Sequence, residues 1–272
     1  MVIMNDENND PRSTIYGPVN SWRFGRSLGI DPIFVRSTCS FNCRYCQLGQ
    51  IQDVTTERQV FVPTAQVIRD FEAFLANNEP YDVITFSGSG EPTLAHNLGE
   101  IARQLKQLAP DKPLQILTNA TLLSDAAVRS DLRLFDRVVA KLDALDDRLL
   151  AIINQAHSTV TIQQILTGIK ALREDSHYQG LLDLQMMFTP ANIDQAADYL
   201  PLIQPLAPDS VQLNTPLRPY PLRWLRENRG NASRLTTAEK RTLSTIDRDQ
   251  ANALEKLFRE QLDCPVSQVY RE

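Results

Sequence analysis

Leu181-Leu-Asp-Leu-Gln-Met-Met-Phe188 is an apolar segment with a partly polar second face. In an extended chain Asp183, Gln185 and Met187 fall on one side, and Leu184, Met186 and Phe188 on the other. Val211-Gln-Leu-Asn214 repeats the pattern, with Gln212 and Asn214 opposite Val211 and Leu213. A parallel sheet covered by helices on both faces reads as nearly continuous apolar sequence. A polar face on these strands fits a wet or ligand-filled interior instead. That favours a partial barrel over an open doubly wound sheet, with ligand groups gathered at the C-terminal strand ends.

Working outward, six short apolar runs alternate with amphipathic stretches. The runs cover residues 33–35, 83–86, 114–117, 138–142, 181–188 and 211–213; the helical stretches include 64–75, 98–108, 161–173 and 193–203. Such alternation predicts βα units and a parallel sheet. A Pro-rich loop, Pro216-Leu-Arg-Pro-Tyr-Pro221, breaks the pattern after the sixth run. Thr236-x-x-Glu239 has the form of a capping box, predicting a long final helix toward Leu262. The expected organisation is a disordered tail over 1–15, a barrel over 16–220 and a helical extension over 221–272.

The 272 residues are 42% hydrophobic and 22% charged, an ordinary globular composition. The formal net charge of −5 supplies no chain-wide basic footprint for nucleic acid. Apolar runs of a few residues fall far short of the ~20 that span a bilayer. The polar, acidic start has no secretory pattern, so a cytoplasmic protein with no membrane partner is expected. Three of the four cysteines lie together, in Cys39-Ser-Phe-Asn-Cys43-Arg-Tyr-Cys46, and Cys264 is far away. A disulfide framework spreads its cysteines, so this clustering points to metal. Three soft thiolates on one tight loop can hold three corners of a cubane cluster, leaving one iron open. The other metal reading is zinc, which needs a fourth ligand. Of His96, His157 and His177, His96 is best placed to reach a shared barrel mouth. Cys264 reads as a lone structural cysteine.

The CxxxCxxC spacing, with Tyr45 before the last cysteine, resembles the signature of the radical S-adenosylmethionine superfamily. Further motifs extend the likeness over residues 16–220: Tyr16-Gly-Pro-Val, Arg23-x-Gly-Arg-Ser27, Cys46-Gln-Leu-Gly49, Ser87-Gly-Ser-Gly-Glu-Pro-Thr-Leu94, Lys141-Leu-Asp-Ala144 and Asn214-Thr-Pro216. They resemble an iron–sulfur oxidoreductase group related to the radical enzymes of wyosine-type tRNA base synthesis. Those enzymes carry a further cysteine set upstream; here no cysteine precedes Cys39. The resemblance implies a partial (β/α)6 TIM-like barrel, a 4Fe–4S cluster on Cys39, Cys43 and Cys46, and S-adenosylmethionine as cofactor. It also implies reductive cleavage to a 5′-deoxyadenosyl radical that abstracts hydrogen from substrate, with a low-potential donor of flavodoxin or ferredoxin type. The substrate is open, RNA included. Competing readings are a closed iron–sulfur electron carrier and a zinc-containing RNA-binding module.

The same resemblance assigns residues around the cofactor. Gly90 and Glu91 match its GGE element, with Ser89 in place of the first Gly; Glu91 would accept from the cofactor's ammonium group. Lys141 would pair with the cofactor carboxylate and Asp143 with the ribose, the alternative being an internal Lys–Asp ion pair. Asn119 would bond the cofactor or form an Asx-turn. Tyr45 would pack on the adenine or only within its loop. By the strand alternation, and apart from the resemblance, Gln185, Gln212 and Asn214 would point into the barrel, either to contact ribose or substrate or to form a buried hydrogen-bond network. Arg218, in the Pro-rich loop, would meet an anionic substrate or solvent. The 16–26 segment would pack across the barrel or shield the cluster.

Overall fold

A computed structural model describes residues 13–230, 236 and 239–270. Eight strands form one sheet: β1 (Ile15–Ser21), β2 (Gly25–Ile30), β3 (Val83–Phe86), β4 (Leu114–Thr118), β5 (Arg137–Lys141), β6 (Leu181–Met187), β7 (Ser210–Asn214) and β8 (Val266–Gln268). They run side by side in chain order from β1 to β8, and neither end strand pairs with the other. Only the β1–β2 hairpin is antiparallel; β2 through β8 are parallel. The result is a curled partial barrel with helices outside.

The alternation in β6 and β7 sorts side chains as expected. Leu182, Leu184, Met186, Phe188, Val211 and Leu213 join the buried core under the helices. Gln185, Met187 and Asn214 line the interior cavity. Gln212 is also turned inward, donating to Asp183 Oδ2 at 3.0 Å. Helices Thr64–Ala76, Leu98–Leu108, Ala126–Leu132 and Ile162–Arg173 cover the outer face, the last opened by a Thr161–Gln164 capping box. The 193–203 stretch splits into a 3-10 turn, Ile193–Tyr199, and a short helix, Leu200–Ile203.

Three expectations are corrected. The first barrel strand is Gly25–Ile30, not 33–35. Asp31 Oδ1 accepts from the backbone N–H of Ile33 at 3.1 Å and of Phe34 at 2.8 Å, so 33–35 is a turn, with Phe34 at φ 54°. Second, residues 1–12 of the expected tail lie outside the described residues, but its end is structured. Thr14 is buried and bonds Asp70 twice, and Ile15 opens β1. Third, the final helix is Arg248–Gln261, capped by Asp247 with Gln250. Glu239 does accept from Thr236 N–H at 3.2 Å and its hydroxyl at 2.9 Å. Lys240–Arg241 then pairs with Tyr220–Pro221, so no helix propagates from that turn. The C-terminal extension also supplies β8, which adds parallel to β7. No helix among the described residues is long and apolar enough to cross a membrane.

Candidate functional site

The cysteine loop is held from several sides. Thr38–Cys39 pairs with Asp53–Val54. Thr38 N–H donates to Ser89 O at 3.1 Å and Thr38 O accepts from Glu91 N–H at 3.1 Å, stitching this loop to the one after β3. Gly90 sits in that seam, where a Cβ would lie 1.7 Å from Thr38 O. Its small size therefore serves contact with the cysteine loop. A short helix ending in a π turn, Leu150–Asn154, grips the other side. There Asn42 N–H donates to Asn154 O at 2.9 Å and Arg44 N–H to Ile153 O at 3.0 Å.

Cys39, Cys43 and Cys46 open onto one cavity of about 620 Å³ at the C-terminal strand ends, shared with Tyr45, Glu91, Asn119, Lys141 and Gln185. Donors are aimed at two of the sulfurs. Asn119 Nδ2 and Phe41 N–H reach Cys39 Sγ at 3.5 and 3.4 Å, and Asn154 Nδ2 reaches Cys43 Sγ at 3.4 Å. Burial pushes all three thiols up, Cys46 to about 12; the Lys141 charge opposes the rise at Cys43 and Cys46. Forming thiolates here therefore requires a cation, and loading a metal group releases protons. Among the described residues no three His, Cys, Asp or Glu side chains form a group that can hold a metal ion. Three thiols opening onto one cavity, with N–H donors to two of the sulfurs, suit an iron–sulfur cluster, whose sulfur ligands take such bonds. His96 is exposed, with its N–H on Gln59 O. His157 touches the cysteine loop through its backbone, N–H to Ser40 O at 2.8 Å, but its ring bonds Thr159. Cys264 packs at the core edge near Asp183 and Asp209, by the strand beginnings.

The other expected residues take unequal positions. Glu91 is buried and caps the turn Pro92–Leu94. Its Oε1 accepts from Thr93 N–H, Thr93 Oγ1 and Thr118 Oγ1 at 3.0, 2.6 and 2.7 Å, and Oε2 from Asn119 N–H at 2.7 Å. One lone pair on Oε2 is left for a cationic ligand. Burial raises its carboxyl above the ordinary value, opposed by those donors. Asn119 forms the Asx-turn, accepting from Thr121 N–H at 3.1 Å, while its amide donates to Ser40 Oγ at 2.7 Å.

Asp143, expected at the cofactor ribose, has its carboxylate engaged by the protein's own donors. Its side chain is 0% exposed; Oδ1 accepts from Met187 N–H at 2.9 Å, and Oδ2 from Asn154 Nδ2 at 2.8 Å and from the Tyr45 hydroxyl. Lys141 pairs with the same oxygen at 3.4 Å and sits 5.1 Å over the Tyr45 ring, so the internal ion pair does form. Gln212 is likewise tied to Asp183 and Arg23 rather than standing free at the cavity wall.

Sequence reasoning missed Asn154, which joins Cys43, Tyr45 and Asp143 through one amide. Its only signal is an amide at the end of the apolar run 149–153. It also missed the buried pair of Arg229 and Asp31, 2.8 Å apart, which fastens the loop after β3 through Ser89 Oγ to Asp31 Oδ2 at 2.6 Å. The 16–26 segment proves to be a sheet hairpin whose tip, Trp22-Arg23-Phe24, lines the cavity from the strand beginnings.

The Radical SAM superfamily profile matches residues 33–199. The chain is 50% identical over 220 residues to a UPF0026 protein of Synechocystis sp., covering 80% of each chain. To a UPF0026 protein of Methanocaldococcus jannaschii it is 36% identical over 212 residues, covering 75% of this chain and 64% of that one. Among solved structures it resembles Streptococcus suis SuiB in complex with its precursor peptide. The TM-score is 0.61 at 17% identity, over 90% of this chain and 49% of that one, a likeness of fold.

Proposed function

This chain belongs to the Radical SAM superfamily, and on that premise we propose that Cys39, Cys43 and Cys46 hold a 4Fe–4S cluster with one iron open to S-adenosylmethionine. When bound, these groups supply reductive cleavage to methionine and a 5′-deoxyadenosyl radical, which takes hydrogen from the substrate. The observation that carries this reading is the trio of thiols, Cys39, Cys43 and Cys46, opening onto one cavity.

The chain's own residues hold and orient. Asn119, Asn154 and the Phe41 N–H stabilise thiolate charge by hydrogen bonding to sulfur. Asp143 and Asn154 fix the Tyr45 ring beside the cavity. Lys141 offers its charge to the cofactor carboxylate, and Glu91 Oε2 offers a lone pair to the ammonium group. The Trp22–Phe24 tip limits water entry at the strand beginnings. A low-potential donor of flavodoxin or ferredoxin type would feed the site. The motif likeness to wyosine-type tRNA enzymes supports an RNA base as one substrate class, while the net charge of −5 weighs against a long polyanion.

After anaerobic reconstitution with iron and sulfide, the protein with dithionite should convert S-adenosylmethionine to 5′-deoxyadenosine. Cys43→Ala should lose both the cluster absorbance and that product. A colourless protein carrying one zinc and yielding no product would end the proposal.

A further inference from the structure

Five charged side chains line the cavity: Arg23, Lys141, Arg218, Arg229 and Glu91. Four cations against one carboxylate invert the sign of a chain whose net charge is −5. Two of the cations are committed. Arg229 is paired with Asp31 at 2.8 Å, both side chains at most 2% exposed. Lys141 is paired with Asp143 and stands by the cysteines.

Arg23 and Arg218 are different. Among the described residues neither forms an ion pair with a carboxylate, and each side chain makes a single hydrogen bond. Arg23 Nη1 donates to Gln212 Oε1 at 3.2 Å, and Arg218 Nη1 to Gln47 Oε1. A guanidinium has five N–H donors, so most of both forks are unused. Both side chains are also braced. Arg23 lies between Trp22 and Phe24, 5.6 and 5.0 Å from their ring centroids. Arg218 is anchored at Gln47, beside Cys46. Burial and the Arg218 charge lower Arg23 to about 10, against an opposing pull from Asp183, whereas the Arg218 side chain stands exposed at the cavity rim. Two like charges thus face one cavity from different elements, the β1–β2 hairpin tip and the loop after β7. An oxyanion between them relieves their repulsion and fills idle donors with charge-assisted bonds.

Resting on the radical reading of this cavity, we propose that Arg23 and Arg218 form a subsite for an oxyanion, phosphate or carboxylate, carried by the substrate. Beside its pair with Asp143, Lys141 keeps ammonium donors for the cofactor's own carboxylate, which leaves the arginine pair for the molecule that gives up hydrogen.

The test titrates the reconstituted full-length protein calorimetrically, at constant ionic strength, with inorganic phosphate, pyrophosphate and malonate. At least one should bind, and Arg23→Gln and Arg218→Gln should each weaken it tenfold or more; Arg218→Lys, which keeps the charge and loses the fork, should fall between. Preference for the phosphates assigns a phosphorylated substrate, and preference for malonate a carboxylate. Three results would overturn the subsite: no anion binding to the wild type, unchanged binding in soluble variants, or displacement of the anion by S-adenosylmethionine. If the glutamine variants do not fold, wild-type binding, the competition arm and Arg218→Lys still decide. The same wild-type preparation is assayed for 5′-deoxyadenosine. Product without anion binding sinks the subsite alone, and anion binding without product sinks the radical reading alone.

Discussion

Arg229 and Asp31 meet from 198 positions apart and seal one charge of each sign inside the protein. Asp31 also organises the turn after β2 and accepts from Ser89, so the pair ties the hairpin, the β3 loop and the segment after β7 together. Removing one partner leaves the other charge buried alone, which costs about 3–5 kcal/mol. Arg229→Met should therefore lose about that much stability in urea denaturation; a change under 1 kcal/mol would show the pair to be dispensable. This pair was illegible in the sequence, because residue pattern reports periodicity and local spacing but not which distant charges meet. The cysteines were legible for the opposite reason: their chemistry is written within eight consecutive positions. Asp143 shows the limit of the strand period. It placed Lys141 and Asp143 on one face correctly, but could not reveal that Tyr45, Asn154 and Met187 would occupy the carboxylate.

The seam between the cysteine loop and the β3 loop depends on an absent side chain. Gly90→Ala would force a Cβ into Thr38 O, and the backbone on one side must move. Overpacking of this kind typically costs about 1–3 kcal/mol. The displaced segment carries Cys39, so the variant should bind less iron after reconstitution, measured as iron per chain, with melting lowered modestly. Full iron loading would show the seam to be slack. Strand β2 teaches a related lesson. Gly25-Arg-Ser-Leu-Gly-Ile30 reads poorly as a strand because glycine and polar residues interrupt it. Gly29 is small because the Tyr16 ring lies over it, 2.2 Å from where a Cβ would stand. The apolar run at 33–35 drew the strand assignment away, since hydrophobicity does not register the Asp31 turn that bends it.

At the scale of the molecule, the C-terminal segment completes the core. Phe258 is fully buried and meets Phe188 edge-on, 6.0 Å between centroids, and β8 covers the side of β7. Phe258→Ala should cost about 3–5 kcal/mol in chemical denaturation; a loss under 1 kcal/mol would mean that the helix rides on the sheet without supporting it. The sequence announced this helix but not the strand after it, because three residues are too few to show an alternation. Seven parallel strands curl round the cavity, yet β1 and β8 never join. A complete ring admits only what can pass its rim. In an interrupted one the closing contact falls to side chains: Arg23 at the hairpin tip reaches Gln212 on β7. On the radical reading, a bulky substrate would then have side chains to push aside at that edge, and no backbone pairing to break.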